Sequence, residues 1–330
     1  MTPPLPTTVT AVVLNWNKSE ETLSCLRSLE AQTWTKLRLL VVDNGSSAEQ
    51  VEQLRAGLGQ AELIRHSSNS GFTGGVNTGL RHAHAEGADY IWLVNNDLIA
   101  PPQTLERLVS AVDGKPEIGL ASPVICNVDA GNEIEFCGGL WREDDTFSTT
   151  SDRNTYFKWQ TQYPNRIWLV GTALMISRHA FESIGMFDDR FFAYWEDNDY
   201  SIRSIIREFY NIVVDDSEVF HSSGNIIKNP ASKRPYYYYY MARNELLFLK
   251  KHASISSTPK LTLWALDRQL RQAERLKDHP MLVEAILLGL WDGICGRVGP
   301  YAPQRRLSMR GRLVIGTCRR IFLHTIKKSR

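Results

Sequence analysis

Asp89-Tyr90-Ile91-Trp92-Leu93-Val94-Asn95-Asn96-Asp97 is an apolar run that ends abruptly in two amides and a carboxylate. Large apolar side chains in succession, with no polar alternation, suit a strand covered on both faces, as in a parallel α/β sheet. Ligands of such sheets gather outside the carboxyl ends of the strands. The run therefore delivers Asp97 to the place where a metal or a phosphate-bearing substrate is held, and Pro101 and Pro102 stop the strand from continuing. The same Asn-Asn-Asp also suits an Asx-type turn capping a helix that begins near Gln103. The stretch alone does not separate the two.

Working outward, residues 9–14 read as a short apolar strand and Asn15-Trp16-Asn17 as the loop after it. Ser19 offers an N-cap, Glu20 and Glu21 lie in the first turn, and Leu23, Leu26 and Leu29 recur at helical spacing. Residues 37–42 are a second strand, and Asp43-Asn44-Gly45-Ser46-Ser47 is a turn-rich loop feeding a helix over 49–58. Residues 61–66 are a third strand, which runs into a glycine-rich loop over 69–77 and then a helix to 85. Three strand–helix alternations ahead of the opening run predict a Rossmann-like, doubly wound, mainly parallel sheet.

A helix over 103–112 and a buried strand over 119–125 follow. Residues 142–165 are polar and read as a mobile loop near the site. Residues 167–177 carry strand residues interrupted by Gly171, and Gly185 is a stop signal. An aromatic cluster, Phe191-Phe192-Ala193-Tyr194-Trp195, must pack and so fixes Glu196, Asp197 and Asp199 at a helix start. Short strands are expected over 211–215 and 218–221, with helices from 236 onward. The expected division is a sheet domain over 1–250 and a helical, basic C-terminal extension over 251–330.

The chain's 330 residues, 43% hydrophobic and 22% charged, provide for a sizeable core. No apolar run approaches a membrane span, and the Pro/Thr-rich start does not read as a secretory signal. Five cysteines without paired metal spacing predict free thiols and a cytoplasmic setting. Ten of the 38 basic residues and none of the 36 acidic ones follow Asp292, so the charge is −8 up to that residue and +10 beyond it. In the tail, Leu307, Val314, Ile315, Cys318, Ile321, Phe322 and Ile326 fall on one helical arc, and Arg312, Arg319, Arg320 and Lys327 fall opposite. Such a basic amphipathic helix suits an anionic membrane surface at the inner face of the cell membrane. It equally suits docking on the protein's own body or on a second subunit.

Asp43, between a strand and a helix, can accept from the imide N–H of a uracil or thymine ring, or serve as a helix cap. Gly71, Gly74 and Gly75 let backbone approach a ligand closely, yet their spacing is not that of a dinucleotide fingerprint, and no Walker sequence is present. Glu196, Asp197 and Asp199 put three carboxylates into four positions, which is costly unless cations or proton exchange relieve it. Asp199 can pair with Arg203 across one turn, which leaves Asp197 as the candidate general base. An acidic helix start also serves simply to offset the helix dipole. His221 ends its own strand, and with Asp97 it forms an oxygen and nitrogen ligand pair suited to Mn²⁺ or Mg²⁺, or else plays a structural part.

The order of these pieces resembles that of the family 2 glycosyltransferases, enzymes of the GT-A fold, over about residues 8 to 250. The matching signatures are Val12-Val13-Leu14-Asn15, Val42-Asp43-Asn44-Gly45-Ser46, Asn69-Ser70-Gly71-Phe72 with Asn77, Leu93-Val94-Asn95-Asn96-Asp97, Gly171-Thr172-Ala173 with Met175, and Trp195-Glu196-Asp197-Asn198-Asp199 with Arg203. Tyr240-Met241-Ala242-Arg243-Asn244, Trp291-Asp292-Gly293 and Gly296-Arg297 are similar to segments of bacterial rhamnosyltransferase-like members. The resemblance implies an inverting transferase that moves a sugar, with dTDP-rhamnose the first donor to try, onto a glycan or lipid-linked acceptor in cell-surface polysaccharide synthesis. It implies Asp197 as the base and Asp97 and His221 as ligands of a divalent metal. Asn15, Asp43, Asn69, Gly71, Asn77, Asn95, Asn96 and Arg243 fall on the donor side, and Gly171, Trp195 and Glu196 on the acceptor side. Asn95 stands where a first aspartate often does, which lowers the charge offered to the metal. The alternatives are a non-catalytic nucleotide-sugar-binding subunit and a sugar-phosphate nucleotidyltransferase, whose Gly-rich, Arg-containing loop after the first strand is missing. A homo-oligomer is compatible with this reading, and no nucleic-acid partner is expected.

Overall fold

The computed structural model describes residues 7–222 and 233–328, with side chains described up to Arg319. These residues form two compact units. Among the described residues, one unit contains 7–189 and 196–222, and the other contains 190–195 together with everything from 233 onward.

The first unit is built on strands β1 (Val9–Asn15), β2 (Leu37–Asp43), β3 (Glu62–Arg65), β4 (Tyr90–Asn95), β5 (Leu98–Ile99), β6 (Ile118–Asn127), β7 (Glu133–Phe136), β11 (Ala173–Ser177) and β12 (Tyr210–His221). Their order is β3-β2-β1-β4-β11-β6-β12-β5, and β7 pairs with β6. β1 to β4 run parallel, as the strand–helix alternation predicts. β11 then enters antiparallel between β4 and β6. The remaining strands, β8 (Gly139–Trp141), β9 (Phe147–Thr149) and β10 (Ile167–Trp168), make a small separate sheet.

The mainly apolar runs follow from a sheet covered on both faces. Val9, Ala11, Val13, Trp92 and Val94 point into one core, where α1 (Ser19–Glu30), α2 (Ala48–Gly57) and α4 (Thr104–Val112) contribute Leu26, Leu29, Leu54, Leu105 and Leu108. Val12, Ile91 and Leu93 point into the opposite core with Val76 and Leu80 of α3 (Gly71–Ala85), Phe181 of α6 (Arg178–Ile184) and Tyr200 of α7 (Glu196–Ile206). Each residue along such a strand has an apolar layer to enter, so no polar alternation is needed.

Several local expectations are corrected. Ser19 is the first residue of α1 and not its cap, and its hydroxyl meets Gln50 and Gln53 of α2. The expected glycine-rich loop is largely the start of α3. A Cβ on Gly75 would lie 2.3 Å from Leu14 Cδ1, and one on Gly79 2.2 Å from Val12 Cγ1. These glycines bring the helix close over β1, and only Gly71, with φ +82°, uses the left-handed freedom. The polar stretch expected to be a mobile loop contains β9 and α5 (Arg153–Gln162). Asp152 caps α5 through the Thr155 amide, and the buried Tyr156 anchors it.

The second unit is helical: α8 (Pro235–His252), α9 (Thr258–Arg275), α10 (Pro280–Cys295) and α11 (Met309–Lys328). The expected boundary at 250 falls inside α8, whose Tyr239, Leu246 and Leu249 belong to this core. Gly289 and Gly293 let α10 approach α8, since added Cβ atoms would meet the Tyr239 and Arg243 carbonyl oxygens at 2.3 and 2.9 Å. The fully buried Asp292 accepts from Tyr239 Oη at 2.7 Å and from Arg305 through two bonds of 2.6 and 2.8 Å.

The tail docks on this unit. Leu307 and Ile315 are buried in its core, Val314 is exposed, and Arg312 and Arg319, expected on the outer face, pair with Glu284 and with Asp267 and Glu274. Its excess charge is thus partly matched by acids of α9 and α10. The side chains of Ile321, Phe322, Ile326, Arg320 and Lys327 lie outside the described residues. No helix among the described residues is long and apolar enough to cross a membrane.

Two glycine substitutions separate packing from propensity. Gly79→Ala, which drives a Cβ into Val12, is expected to lose about 1 kcal/mol or more even after its helix-propensity gain. Gly316→Ala in α11 meets open space and is expected to gain up to about 1 kcal/mol. Urea denaturation of both variants checks the pair.

Candidate active site

The carboxyl ends of β1, β2 and β4 are joined by side chains. Asn15 Nδ2 donates to Asp43 Oδ1 at 2.8 Å, Thr22 Oγ1 donates to Asn15 Oδ1 at 2.8 Å, and Asn96 Nδ2 donates to Thr22 Oγ1 at 3.0 Å. Asp43 also accepts from the Ser46 amide at 3.3 Å and lies 3.7 Å from Arg65 Nε. Neither Asn15 nor Asp43 exposes any surface. They tie the loops after β1 and β2 together, and Trp16, 46% exposed, is the large group presented there. Asn44 does the same one loop further on, donating to Gly71 O at 2.8 Å and Asn69 Oδ1 at 3.3 Å and accepting from the Ser70 amide at 3.0 Å.

Asp97 and His221 come together because β5 pairs with the end of β12, Leu98 opposite His221. His221 Nε2 lies 3.4 Å from Asp97 Oδ1, and its Nδ1 lies 3.2 Å from Glu135 Oε2. Burial works against a charged imidazole, but these two carboxylates outweigh it and push His221 up to about 9. Apart from this ion pair with His221, Asp97 Oδ1 is shielded and accepts no hydrogen bond from the described residues, and a cation bound there would displace the imidazole proton. No three His, Cys, Asp or Glu among the described residues converge as a complete cage. The donor set fits an ion shared with a diphosphate, since Mg²⁺-type sites take one or two protein ligands and complete their shell with phosphate oxygen and water.

Asp197 is held to the same edge by two backbone links. The Asn95 amide donates to Thr172 O at 2.9 Å, and the neighbouring Gly171 amide donates to Asp197 Oδ2 at 3.2 Å. Asp197 Oδ1 accepts from the Asn198 amide at 2.8 Å. Further along α7, Ser201 Oγ bonds both the amide and the carbonyl of Leu169, at 3.0 and 3.1 Å, which fixes the helix against the segment before Gly171. Asp199 pairs with Arg203 at 2.8 Å, and Arg203 also holds the Ile184 and Met186 carbonyls, so this pair is structural.

The two remaining carboxyls differ in their surroundings. Burial and then the charge of Asp197 raise Glu196 well above the usual carboxylate range, and its Oε2 is buried without a hydrogen-bond partner among the described residues. Burial raises Asp197 as well, while the Asn198 and Gly171 amides pull the other way. Of the two, Glu196 is the one whose surroundings favour the protonated form more strongly, and Asp197 is the one with amide donors that favour the anion.

Three further residues have these partners. Asn77 is turned inward: its amide bonds the Phe187 N–H and C=O, both at 2.9 Å, and Asp189 Oδ1 at 2.8 Å, so it anchors a loop. Arg243, 1% exposed, lies in the helical unit with its guanidinium on backbone carbonyls. Trp195 also belongs to the helical unit, where its ring meets Phe248 at 5.3 Å. Asn69, Asn95 and Asn96 remain partly exposed. Sequence reasoning passed over Thr22, Asn44 and Glu135. Asn44 stood inside a quoted signature, while Glu135, far from His221 in sequence, gave no signal.

A mainly parallel sheet with an acidic carboxyl edge and the antiparallel β11 set between β4 and β6 defines a GT-A class of fold. The mannosyltransferase from Pyrobaculum calidifontis, solved with GDP-Man and Mn²⁺, superposes with a TM-score of 0.59 over 89% of each chain at 14% identity, which establishes the fold. Residues 10–185 match the model of glycosyl transferase family 2, and the chain belongs to that family. It is 34% identical to a galactofuranosyltransferase of Mycobacterium tuberculosis over 139 residues, 41% of this chain and 46% of that protein. The match thus spans about half the length of that relative. The chain is 24% identical over 226 residues to the N-acetylglucosaminyl-diphospho-decaprenol L-rhamnosyltransferase of the same species, covering 63% of this chain and 74% of that one. It is 22% identical over 300 residues to a dTDP-rhamnosyl transferase of Shigella flexneri, covering 88% and 96%.

The buried, proton-holding Glu196 makes stability fall with pH. A carboxyl whose folded pKa is raised binds more protons in the native than in the unfolded chain between the two pKa values. Stability is full below the ordinary carboxylate range and declines as pH rises toward the raised value. Glu196→Gln removes that titration, so its melting temperature is expected to fall less with pH than that of the wild type. Thermal melts across a pH series that starts in the ordinary carboxylate range and rises from there measure the difference.

Proposed function

We propose that the chain is an inverting glycosyltransferase that moves one sugar from a nucleotide diphosphate to a hydroxyl of a glycan or lipid-linked acceptor. The observation that carries the proposal is the linkage of Asp197, through Gly171 and Thr172, to the strand end that carries Asn95, Asn96 and Asp97. A general base and the groups suited to a diphosphate thereby share one edge. Asp197 takes the proton of the acceptor hydroxyl as its oxygen attacks the anomeric carbon, and the bond from that carbon to the diphosphate breaks on the opposite face. Glu196, as a neutral acid, can donate a hydrogen bond to the acceptor without competing for its proton. Asn69, Asn95 and Asn96 supply amides for ribose and phosphate oxygens. A divalent ion, when bound, would be held by Asp97 and His221 and would place positive charge beside the departing diphosphate.

The names of the relatives suggest the donor and acceptor classes. Two are rhamnosyl transferases, one of them named for dTDP-rhamnose and the other for a decaprenol-linked acceptor. dTDP-rhamnose is accordingly the first donor to test, in a panel of UDP-, dTDP-, GDP- and CDP-linked sugars read by hydrolysis and by thermal stabilisation. Stabilisation by nucleotide sugars with neither hydrolysis nor transfer would favour a non-catalytic binding subunit.

Asp197→Asn keeps the shape and removes the base, so transfer is expected to fall by about two to four decades while donor binding survives. In the wild type, kcat is expected to decline toward acid through a pKa above the usual aspartate value, because burial raises Asp197 and the protonated form cannot accept. A near-normal rate in a folded Asp197→Asn protein would sink the assignment.

For the ion, donor affinity measured by calorimetry with Mn²⁺ and with EDTA is expected to drop at least tenfold on chelation in the wild type. Asp97→Ala is expected to bind weakly under both conditions. Equal affinity with and without chelator in the wild type contradicts the Asp97 and His221 assignment.

A further inference from the structure

Glu135 owes its place to an irregular pairing of strands. Ile125 of β6 lies opposite Phe136 of β7, but the next residue, Cys126, lies opposite Ile134, so one step on β6 spans two on β7 and Glu135 is the extra residue. Packing shows the same break. Residues two apart on a regular strand share a face, yet Phe136 enters the core that holds Trp92, and Ile134 packs against the opposite core with Leu93. A bulge of this kind leaves its extra residue unpaired in the ladder and re-aims the side chain.

The bulge gives Glu135 reach. β7 and β12 are not neighbours: both pair with β6, which sets Asn127 between Glu133 on one side and His221 on the other. Two strands flanking a third lie roughly 10 Å apart, and side chains that stand perpendicular to the sheet do not ordinarily meet across that gap. Glu135 and His221 do meet, with Oε2 3.2 Å from Nδ1, and Asn127 of the strand between donates through Nδ2 to the same oxygen at 3.3 Å. Asn127 is buried, and its Oδ1 accepts from the Ala130 amide at 3.1 Å, which turns its nitrogen toward Glu135.

At the other ring nitrogen, β5 brings Asp97 Oδ1 to 3.4 Å from Nε2. The two carboxylates therefore stand at opposite ends of one imidazole. An imidazole ligates a cation through one nitrogen, and the acceptor of the other N–H decides which one and fixes the plane of the ring. Glu135 takes Nδ1, which leaves Nε2 to face Asp97. Glu135 is separated from Asp97 by the ring itself, in keeping with the absence of any three-group cage among the described residues. All of these residues belong to the sheet unit, so the arrangement stands within one compact body. We propose that Glu135 is a positioning residue: it accepts the Nδ1–H of His221 and so holds the ring with Nε2 toward Asp97, ready to share a divalent cation. This rests on the reading of Asp97 and His221 as ligands of that ion.

The test uses the full chain carrying Glu135→Ala, which removes the acceptor, and Glu135→Gln. Because a single oxygen of Glu135 meets both His221 and Asn127, the glutamine carbonyl oxygen can replace it without the charge. Mn²⁺ is titrated alone and with dTDP or UDP, and the free ion is followed by its electron paramagnetic resonance signal. Glu135→Ala is expected to bind Mn²⁺ about ten- to a hundredfold more weakly than the wild type, and Glu135→Gln to stay within about threefold of it. A metal-free readout accompanies the titration. In protein carrying isotope-labelled histidine, the proton on His221 Nδ1 is expected as a downfield, slowly exchanging NMR resonance in the wild type and in Glu135→Gln, and it is lost in Glu135→Ala. Its loss in His221→Gln assigns it. Wild-type Mn²⁺ affinity in folded Glu135→Ala overturns the proposal, and so does equal weakening in both variants, which would trace the effect to charge and not to ring position. A wild type that binds no Mn²⁺ is a failure of the parent reading, and the resonance then decides: loss in Glu135→Ala upholds Glu135 as the holder of the ring, and persistence overturns it.

Discussion

The site depends on β11 lying antiparallel against β4. Parallel strands of such sheets deliver polar groups to their carboxyl edge only from the ends of their own runs, and here those groups are Asn15, Asp43 and Asn95-Asn96-Asp97. A strand that runs the opposite way begins at that edge. Because β11 starts at Ala173, the residues just before it, Gly171 and Thr172, lie beside Asn95, and the Asn95 amide is satisfied by Thr172 O at 2.9 Å. Gly171 then has its own amide free for Asp197. One antiparallel insertion thus joins a carboxylate from late in the chain to a strand end from early in it. A Cβ on Gly171 would stand 3.6 Å from Asp197 Cβ and 3.8 Å from Phe72, ordinary contact distances.

Around this pairing, burial divides the charges. Asp43 and Asn15 are enclosed and bind loops, Glu196 is enclosed where burial favours its protonated form, and Asp197 keeps two amide donors that favour its anion. Asp97 and His221 meet because a two-residue strand, β5, closes back onto the end of β12. The same logic governs the helical unit, where buried Asp292, Arg243 and Asn244 each have their polar atoms taken up by named partners. In both units the buried polar groups act as fixings for backbone, consistent with the cost of leaving such groups unpaired.

The doubly wound sheet was legible because mainly apolar runs at 9–14, 37–42 and 90–94, interrupted only by Thr10 and Arg38, alternate with helical spacing, and each run needs two apolar layers. The carboxylates at the strand ends and at the start of α7 were legible for the same reason: they sit where a run stops. The antiparallel sense of β11 was not, since a strand's direction depends on where its neighbours lie and not on its own composition. The glycines of α3 misled because glycine serves equally for close helix–strand approach and for a ligand-binding loop, and only the contacts with Val12 and Leu14 decide. The carbonyls that Arg243 and Asn77 meet were not legible either, as sequence shows a donor group without showing its acceptor. The tail's charge pointed outward in isolation, whereas Glu284, Asp267 and Glu274 of the same unit receive part of it.

The central claim is that a single carboxylate, Asp197, acts as a base on the acceptor and never as a nucleophile on the sugar. The most direct measurement is the anomeric configuration of the first-formed product relative to the donor, read by NMR from the coupling at the anomeric carbon during turnover. A base at Asp197 requires one in-line displacement, so the account predicts inversion. Retention of the donor configuration would demand a second displacement through a covalent or shielded intermediate and would contradict it.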